Sequence, residues 1–166
     1  MWLRTASKDD LSQMHELLLE SWHATYDDII GAENVNKLNN ERHSLENLKK
    51  YIGRPSSEYV VVDDGELLHG GAYAIQGLVN GEPEIAYIMQ LYVRPESRKQ
   101  GIGKRLLMEI EESFPSARKV RVDIIEKNKI AFDFLESQGY KTIAAKPLFS
   151  FDKGDFSILV MEKVLF

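Results

Sequence analysis

The chain has 166 residues and no cysteine; 43% of it is hydrophobic, 28% is charged, and the net charge is −5. That length suits one ordinary core, and the missing thiols exclude disulfides, thiolate metal sites and a cysteine acyl-enzyme. No apolar run reaches the roughly 18 residues of a membrane span, and the acidic balance disfavours broad nucleic-acid affinity while tolerating a cationic amine.

Charge arrives early, at Lys8-Asp9-Asp10, with no apolar signal core before it, so a cytoplasmic protein is expected. No repeat or Pro/Gly-rich linker divides the chain, which reads as a single domain over residues 1–166. Residues 2–6 predict a strand. Ser7 then caps a helix in which Leu11, Met14, Leu18 and Trp22 recur at helical spacing. After a polar stretch, Leu45, Leu48 and Ile52 predict a second short helix, ended by Gly53 and Pro55. Tyr59 to Val62, the turn Asp63-Asp64-Gly65 and residues 66–75 predict a hairpin. A turn-rich break over residues 77–83 precedes a long apolar strand from Ile85 to Val93, closed by Arg94-Pro95.

Leu106, Leu107, Ile110 and Phe114 form the next helical stripe, and Val120 to Ile125 the next strand. Ile130, Ala131, Phe134 and Leu135 make another helix, stopped by Gly139; residues 140–145 and 158–165 supply the last strands. The order βααβββαβαββ predicts an α/β (α+β) fold, a mixed sheet flanked by about four helices.

The strongest chemical signal is Arg98-Lys99-Gln100-Gly101-Ile102-Gly103-Lys104, between the strand ending at Val93 and the helix that follows. Two glycines at a strand–loop–helix junction let successive backbone N–H groups converge, and the helix N-terminus adds partial positive charge, which together suit a pyrophosphate. A tight turn with a solvated basic rim would use the same residues. A Walker A loop requires Ser or Thr where Arg105 stands, and a dinucleotide fingerprint requires glycine where Leu106 stands. His69-Gly70-Gly71 has the composition of a hydrolase oxyanion loop, but no Gly-x-Ser-x-Gly elbow accompanies it, and a glycine pair in a strand more often marks a bulge. His15, His23 and His43 lack ligand spacing, so no metal is expected.

The stretch from Leu91 to Leu107 resembles the acetyl-CoA motif of the GNAT superfamily of N-acetyltransferases, whose loop reads Arg/Gln-x-x-Gly-x-Gly/Ala. Downstream, Asn128 to Tyr140 is similar to that family's Asn-x-x-Ala-x-x-Phe-Tyr-x-x-x-Gly-Phe segment. Together the two cover about a fifth of the chain. The resemblance implies the GNAT fold, with a mostly antiparallel sheet, and transfer of an acetyl group from acetyl-CoA to a primary amine. It implies that Leu91, Tyr92 and Val93 pair with pantetheine and that amides from Lys99 to Lys104, Gln100 and Ile102 among them, hold the pyrophosphate beside Arg98. It also implies that Asn128, Ala131 and Phe134 flank the pantetheine arm.

The family's usual acid, a tyrosine, aligns with Leu135. A thiol pKa near 8.5 makes coenzyme A thiolate a tolerable leaving group without an acid; Tyr140, Tyr92 and Tyr87 are alternative donors by type. For the base, the resemblance points to Asp123, five residues before Asn128. Glu84 ranks second, and Tyr87 and Met89 stand where other members carry a base. Trp22, Tyr26 and Asp27-Asp28, expected after the first helix, fall where members build the acceptor pocket. Residues 151–163 faintly resemble the tail of polyamine-acetylating members. The acceptor is expected to be a polyamine, another small amine or a peptide amine; a homodimer stays open. The alternatives are an acyl-CoA-binding module whose chemistry has decayed, and a nucleotide-binding protein.

Overall fold

The computed structural model describes residues 1–151 and 154–166, with side chains described outside 148–155. The chain runs β1 (Trp2–Thr5), α1 (Leu11–Ile30), α2 (Ala32–Arg42), α3 (Leu45–Tyr51), β2 (Ser57–Asp63), β3 (Leu68–Gln76), β4 (Ile85–Val93), α4 (Ile102–Glu112), β5 (Lys119–Ile125), α5 (Lys129–Ser137), β6 (Lys141–Phe151) and β7 (Gly154–Val164). The expected polyamine-type tail at residues 151–163 lies partly outside the described residues. Among those described, no helix is long and apolar enough to cross a membrane, and no group of three or more metal-capable side chains occurs.

Two features differ from the sequence expectation. The first helix continues past Trp22 to Ile30, so Tyr26, Asp27 and Asp28 lie within it rather than after it. Gly31, at φ 91°, ends it, and α2 begins at once. That second helix was expected to be a polar stretch. Only Val35, Leu38 and Asn39 of its residues are buried, too few to print an apolar stripe. Among the described residues there are five α-helices rather than about four.

Local chemistry sets the N-terminal corner. Ser7 accepts from the Asp9 amide, and Asp10 accepts from the Ser7 amide at 2.8 Å, a capping box that opens a one-turn 3-10 helix leading into α1. The Arg4 guanidinium bridges Asp10 and Asp63, each at 2.8 Å, so β1, the α1 entry and β2 share one cation. That contact, opposed in part by burial, holds the Asp10 carboxyl below its usual range.

The sheet order is β1-β2-β3-β4-β5-β7-β6. Every neighbouring pair is antiparallel except β4–β5, which runs parallel over four residue pairs, Ile85↔Lys119 to Ile88↔Val122. Side-chain alternation sends Ala86, Ile88, Val120, Val122 and Ile124 to one face, where they pack with Ile102, Leu106, Leu107 and Ile110 of α4 and Leu135 of α5. Tyr59, Val61, Tyr73, Ile75 and Tyr92 take the other face, against Met14, Leu17 and Leu18 of α1 and Leu48 of α3. A third cluster joins Ile30, Val35, Leu38, Ile125 and Phe156.

The glycine pair Gly70-Gly71 makes room for β4. A Cβ on Gly71 would stand 2.5 Å from the Tyr92 hydroxyl, and one on Gly70 would stand 2.8 Å from the Tyr92 carbonyl oxygen. The β2–β3 register does shift beside this pair: Val62 faces Gly70 while Asp63 faces Leu68, leaving His69 as the extra residue.

Candidate active site

The site begins where β4 and β5 part. Opposite β3, Tyr73 pairs with Gln90 and Ala74 with Ile88, so Met89 is a bulged residue. A bulge bends its strand, and this one follows directly on Ile88, the last β4 residue paired with β5. Beyond it β4 continues to Val93 and β5 to Ile125 without pairing each other. The Arg94 amide donates to the His69 carbonyl at 2.7 Å. By alternation Tyr92 also faces β3, whereas Leu91 and Val93 turn their N–H and C=O groups toward the vacated β5 side. An extended, amide-bearing molecule can add there as a strand does.

Past β4, the chain makes a nest. Lys99 sits at φ 63° and Gly101 at φ 81°, both left-handed, on either side of Gln100, and α4 starts at Ile102. The Arg105 amide is satisfied by the Gly101 carbonyl, but among the described residues the amides from Lys99 to Lys104 have no backbone acceptor. Several free donors at a helix N-terminus form an anion site. Ile102 anchors the first turn in the core, while Lys99, Gln100 and Lys104 are exposed at the rim. Gly103 lies inside the fork: a Cβ there would touch Phe134 at 3.4 Å and Val93 at 3.8 Å. Phe134 of α5 therefore packs beside Gly103 and Val93 on the α4 side of the fork.

The nest is rooted by polar side chains. His69 hydrogen-bonds to the buried Ser97 hydroxyl and, through Nε2, to Asp64, each at 2.6 Å. Arg94 donates to the Leu68 carbonyl and reaches Glu20 of α1 at 3.3 Å. Arg98, expected at the anion rim, instead donates to Thr25 of α1 at 3.0 Å. Asn128 caps α5 by accepting from the Ala131 amide at 3.2 Å, and its Nδ2 donates to the Tyr26 hydroxyl at 3.0 Å. Burial raises the Tyr26 pKa against that bond. Helix α1 is thus tied to both arms of the fork.

At the base of the fork, on the α1 face, stands Asp123, the first β5 residue beyond the paired segment. The Tyr87 hydroxyl donates to its Oδ1, and the Lys146 ammonium lies 3.3 Å from its Oδ2. Burial first, then the hydrogen bond to Asp123, raises the Tyr87 pKa, so the phenol keeps its proton at neutral pH. Nearby, Tyr59 donates to Gln90 at 2.7 Å and shares a 2.6 Å bond with the Tyr92 hydroxyl.

The structure therefore brings Asp123 and Tyr87 together, and it gathers Tyr26, Asn128, Ala131 and Phe134 around the same fork. Trp22 packs on Tyr26 with ring centroids 4.4 Å apart and planes tilted by 37°. Other expected residues have different surroundings or partners. Tyr140 is fully buried beside Glu111 and beneath Lys163, whose register partner is Val120 at the opposite end of β5; its hydroxyl has no hydrogen-bond partner among the described residues. Burial raises its pKa. Glu84 precedes the first paired residue of β4, about 13 Å of strand before Ile88. Tyr92 points into the α1 core, and Asp27 is held by His23 at 2.6 Å. Leu135 is buried in the core under α5. The sequence reading missed Lys146, Gln90 and Thr25, whose places depend on long-range pairing.

Residues 11–140 match the Acetyltransferase (GNAT) family. The spermidine N(1)-acetyltransferase of Thermoplasma acidophilum is 29% identical over 169 aligned residues, 97% of this chain and 95% of that protein. The crystal structure of the PaiA N-acetyltransferase from Thermoplasma acidophilum in complex with coenzyme A superposes with a TM-score of 0.80 at 26% identity, over 98% of both chains. The ribosomal-protein-alanine N-acetyltransferase from Brucella melitensis shares the fold, with a TM-score of 0.74 at 21% identity, over 99% of this chain and 100% of that one.

Proposed function

The chain belongs to the GNAT acetyltransferase family, and from that premise we propose that it transfers an acetyl group directly from acetyl-CoA to a primary amine, with polyamines the favoured acceptors. One observation carries this reading: the β4–β5 fork ends at its open side in an amide nest and at its base in a carboxylate. Leu91 and Val93 offer backbone pairing to the pantetheine arm, and amides from Lys99 to Lys104 offer donors to the pyrophosphate. Phe134 packs beside Gly103 and Val93, and Asn128 orders the start of α5.

An alkylammonium, with a pKa near 10.4, needs a base before it can attack a thioester. Asp123 takes that proton, directly or through a water, and the protonated Tyr87 holds its carboxylate in place. At the position of the family's usual acid stands Leu135, packed in the core. The thiolate leaves without an acid, which a thiol pKa near 8.5 permits. The likeness to a spermidine N(1)-acetyltransferase supports a polyamine, and the aromatic pair Trp22–Tyr26 with the acidic surface of α1 suits a flexible polycation.

The test is thiol release from acetyl-CoA against polyamines, aminoglycosides and N-terminal peptides. Highest kcat/KM with a polyamine is expected. Coenzyme A binding without turnover of any amine would instead identify a decayed binding module.

A further inference from the structure

Asp123 already carries an ammonium. Lys146 stands on β6, two strands away from β5, with its register partner Ile158 on β7 opposite Ile125. Its side chain crosses β7 on the same face and brings Nζ within 3.3 Å of Asp123 Oδ2. The nearer cation, Arg121, is taken by Glu162 at 2.6 Å, and Lys119 also leans on Glu162, at 4.0 Å. Lys146 thus occupies the contact that an acceptor ammonium must make with the base. Its side chain is 54% exposed, so it is free to swing between that carboxylate and solvent.

We propose that Lys146 is itself an acetyl acceptor, modified by the active site of its own chain when no diffusible amine competes. The inference rests on Asp123 serving as the base of acyl transfer. Asp123 removes one proton from the Lys146 ammonium, and the freed Nζ lone pair forms a bond to the thioester carbonyl carbon. The carbon–sulfur bond then breaks, the electron pair leaves on sulfur, the thiolate takes up the second proton shed by the nitrogen, and the proton held by Asp123 passes to solvent. An ammonium and acetyl-CoA become an acetamide, free coenzyme A and one released proton. The acetamide has no charge to pair with Asp123, so the modified lysine leaves the carboxylate open to an incoming amine.

The purified chain is incubated with isotopically labelled acetyl-CoA and no amine, and each lysine is followed by peptide mass spectrometry. Lys129, whose side chain is 83% exposed, reports spontaneous acylation. Lys146 is expected to acquire label at least about tenfold faster than Lys129, since a positioned base accelerates on the order of 10²–10⁴-fold. Its rate should not change on dilution, and it should fall toward the Lys129 rate in Asp123→Asn and in Tyr87→Phe. Equal labelling of Lys146 and Lys129, undiminished labelling in both variants, or a rate falling in proportion to dilution overturns the inference. Polyamine turnover measured in the same samples separates two failures. With turnover present and Lys146 unlabelled, self-acetylation alone is wrong; with both absent, the assignment of the active site falls as well.

Discussion

The Tyr87 hydroxyl donates a hydrogen bond to Asp123 across β4 and β5, one residue past the point where these strands stop pairing. A phenol whose pKa burial raises cannot compete for the amine proton, so it acts as a fixed donor that orients the carboxylate.

Replacing Asp123 by Asn keeps the shape and removes the proton affinity. Turnover at neutral pH should fall by about 10²–10⁴-fold and recover partly as pH rises and free amine accumulates. Tyr87→Phe should cost less, because the base remains. Steady-state kinetics from pH 6 to 9, with coenzyme A affinity measured by calorimetry, checks both. Equal profiles for wild type and Asp123→Asn would move the base elsewhere.

Gly103 has room for one carbon. Alanine there would touch Phe134 at ordinary contact distance, but the branches of valine must push Phe134 or Val93 out of the fork. Gly103→Val should weaken coenzyme A binding at least about tenfold, ~1.4 kcal/mol, with Gly103→Ala much milder. Gly101→Ala acts differently: nothing crowds it, yet φ 81° costs an L residue roughly 1–2 kcal/mol. Calorimetric titration with coenzyme A ranks the three.

Gly71→Ala should destabilise by about 1–3 kcal/mol, because the new methyl would lie 2.5 Å from the Tyr92 hydroxyl. Urea unfolding measures the loss. Pairing it with Tyr92→Leu should return part of that stability if the contact is the cause.

His43 is buried against Trp22 and donates to Asn39 at 2.7 Å. Burial first, then the charges of Arg42 and His15, lowers its pKa from 6.5 to about 4. Its folded value lies below its unfolded value, so the unfolded chain binds more protons between them. Stability is therefore full above pH 6.5 and falls as pH drops toward about 4, by on the order of 3 kcal/mol. His43→Gln should flatten that slope whatever its effect at pH 7.5. Unfolding free energies at several pH values decide.

Most of the frame was legible before any coordinates. Ile85 to Val93 was read at its true bounds, since a nine-residue run, apolar except for Gln90, between a turn and Arg94-Pro95 leaves little choice. Asp123 was singled out only through the family resemblance, five residues before Asn128; the structure sets it beside Tyr87. Helix α2 was not legible, because burial of Val35 and Leu38 depends on Ile125 and Phe156 reaching them from the sheet. The first helix was read only as far as Trp22, with the polar Asp27-Asp28 placed beyond it, though Ile29 and Ile30 continue the apolar stripe. Tyr140 and Tyr87 were equal as phenols by type; only the register of β5 separates one at the fork from one buried far from it. Lys146 left no local signal, as its ion pair requires β7 to lie between β5 and β6.

The four-pair ladder between β4 and β5 is also expected to open before the longer ladders beside it. It joins a meander of β1 to β4, built from neighbouring hairpins and α1 to α3, to a second block of β5, β7 and β6. Such a narrow seam is where partial unfolding separates cooperative units, and amides along residues 85–88 and 119–122 should exchange with deuterium before those of β3 or β7. A ligand lying in the fork touches both blocks, so it opposes their separation by RT ln(1 + [L]/Kd). Saturating coenzyme A then slows exchange most along that seam, making the cosubstrate a mechanical staple between two halves that fold on either side of it.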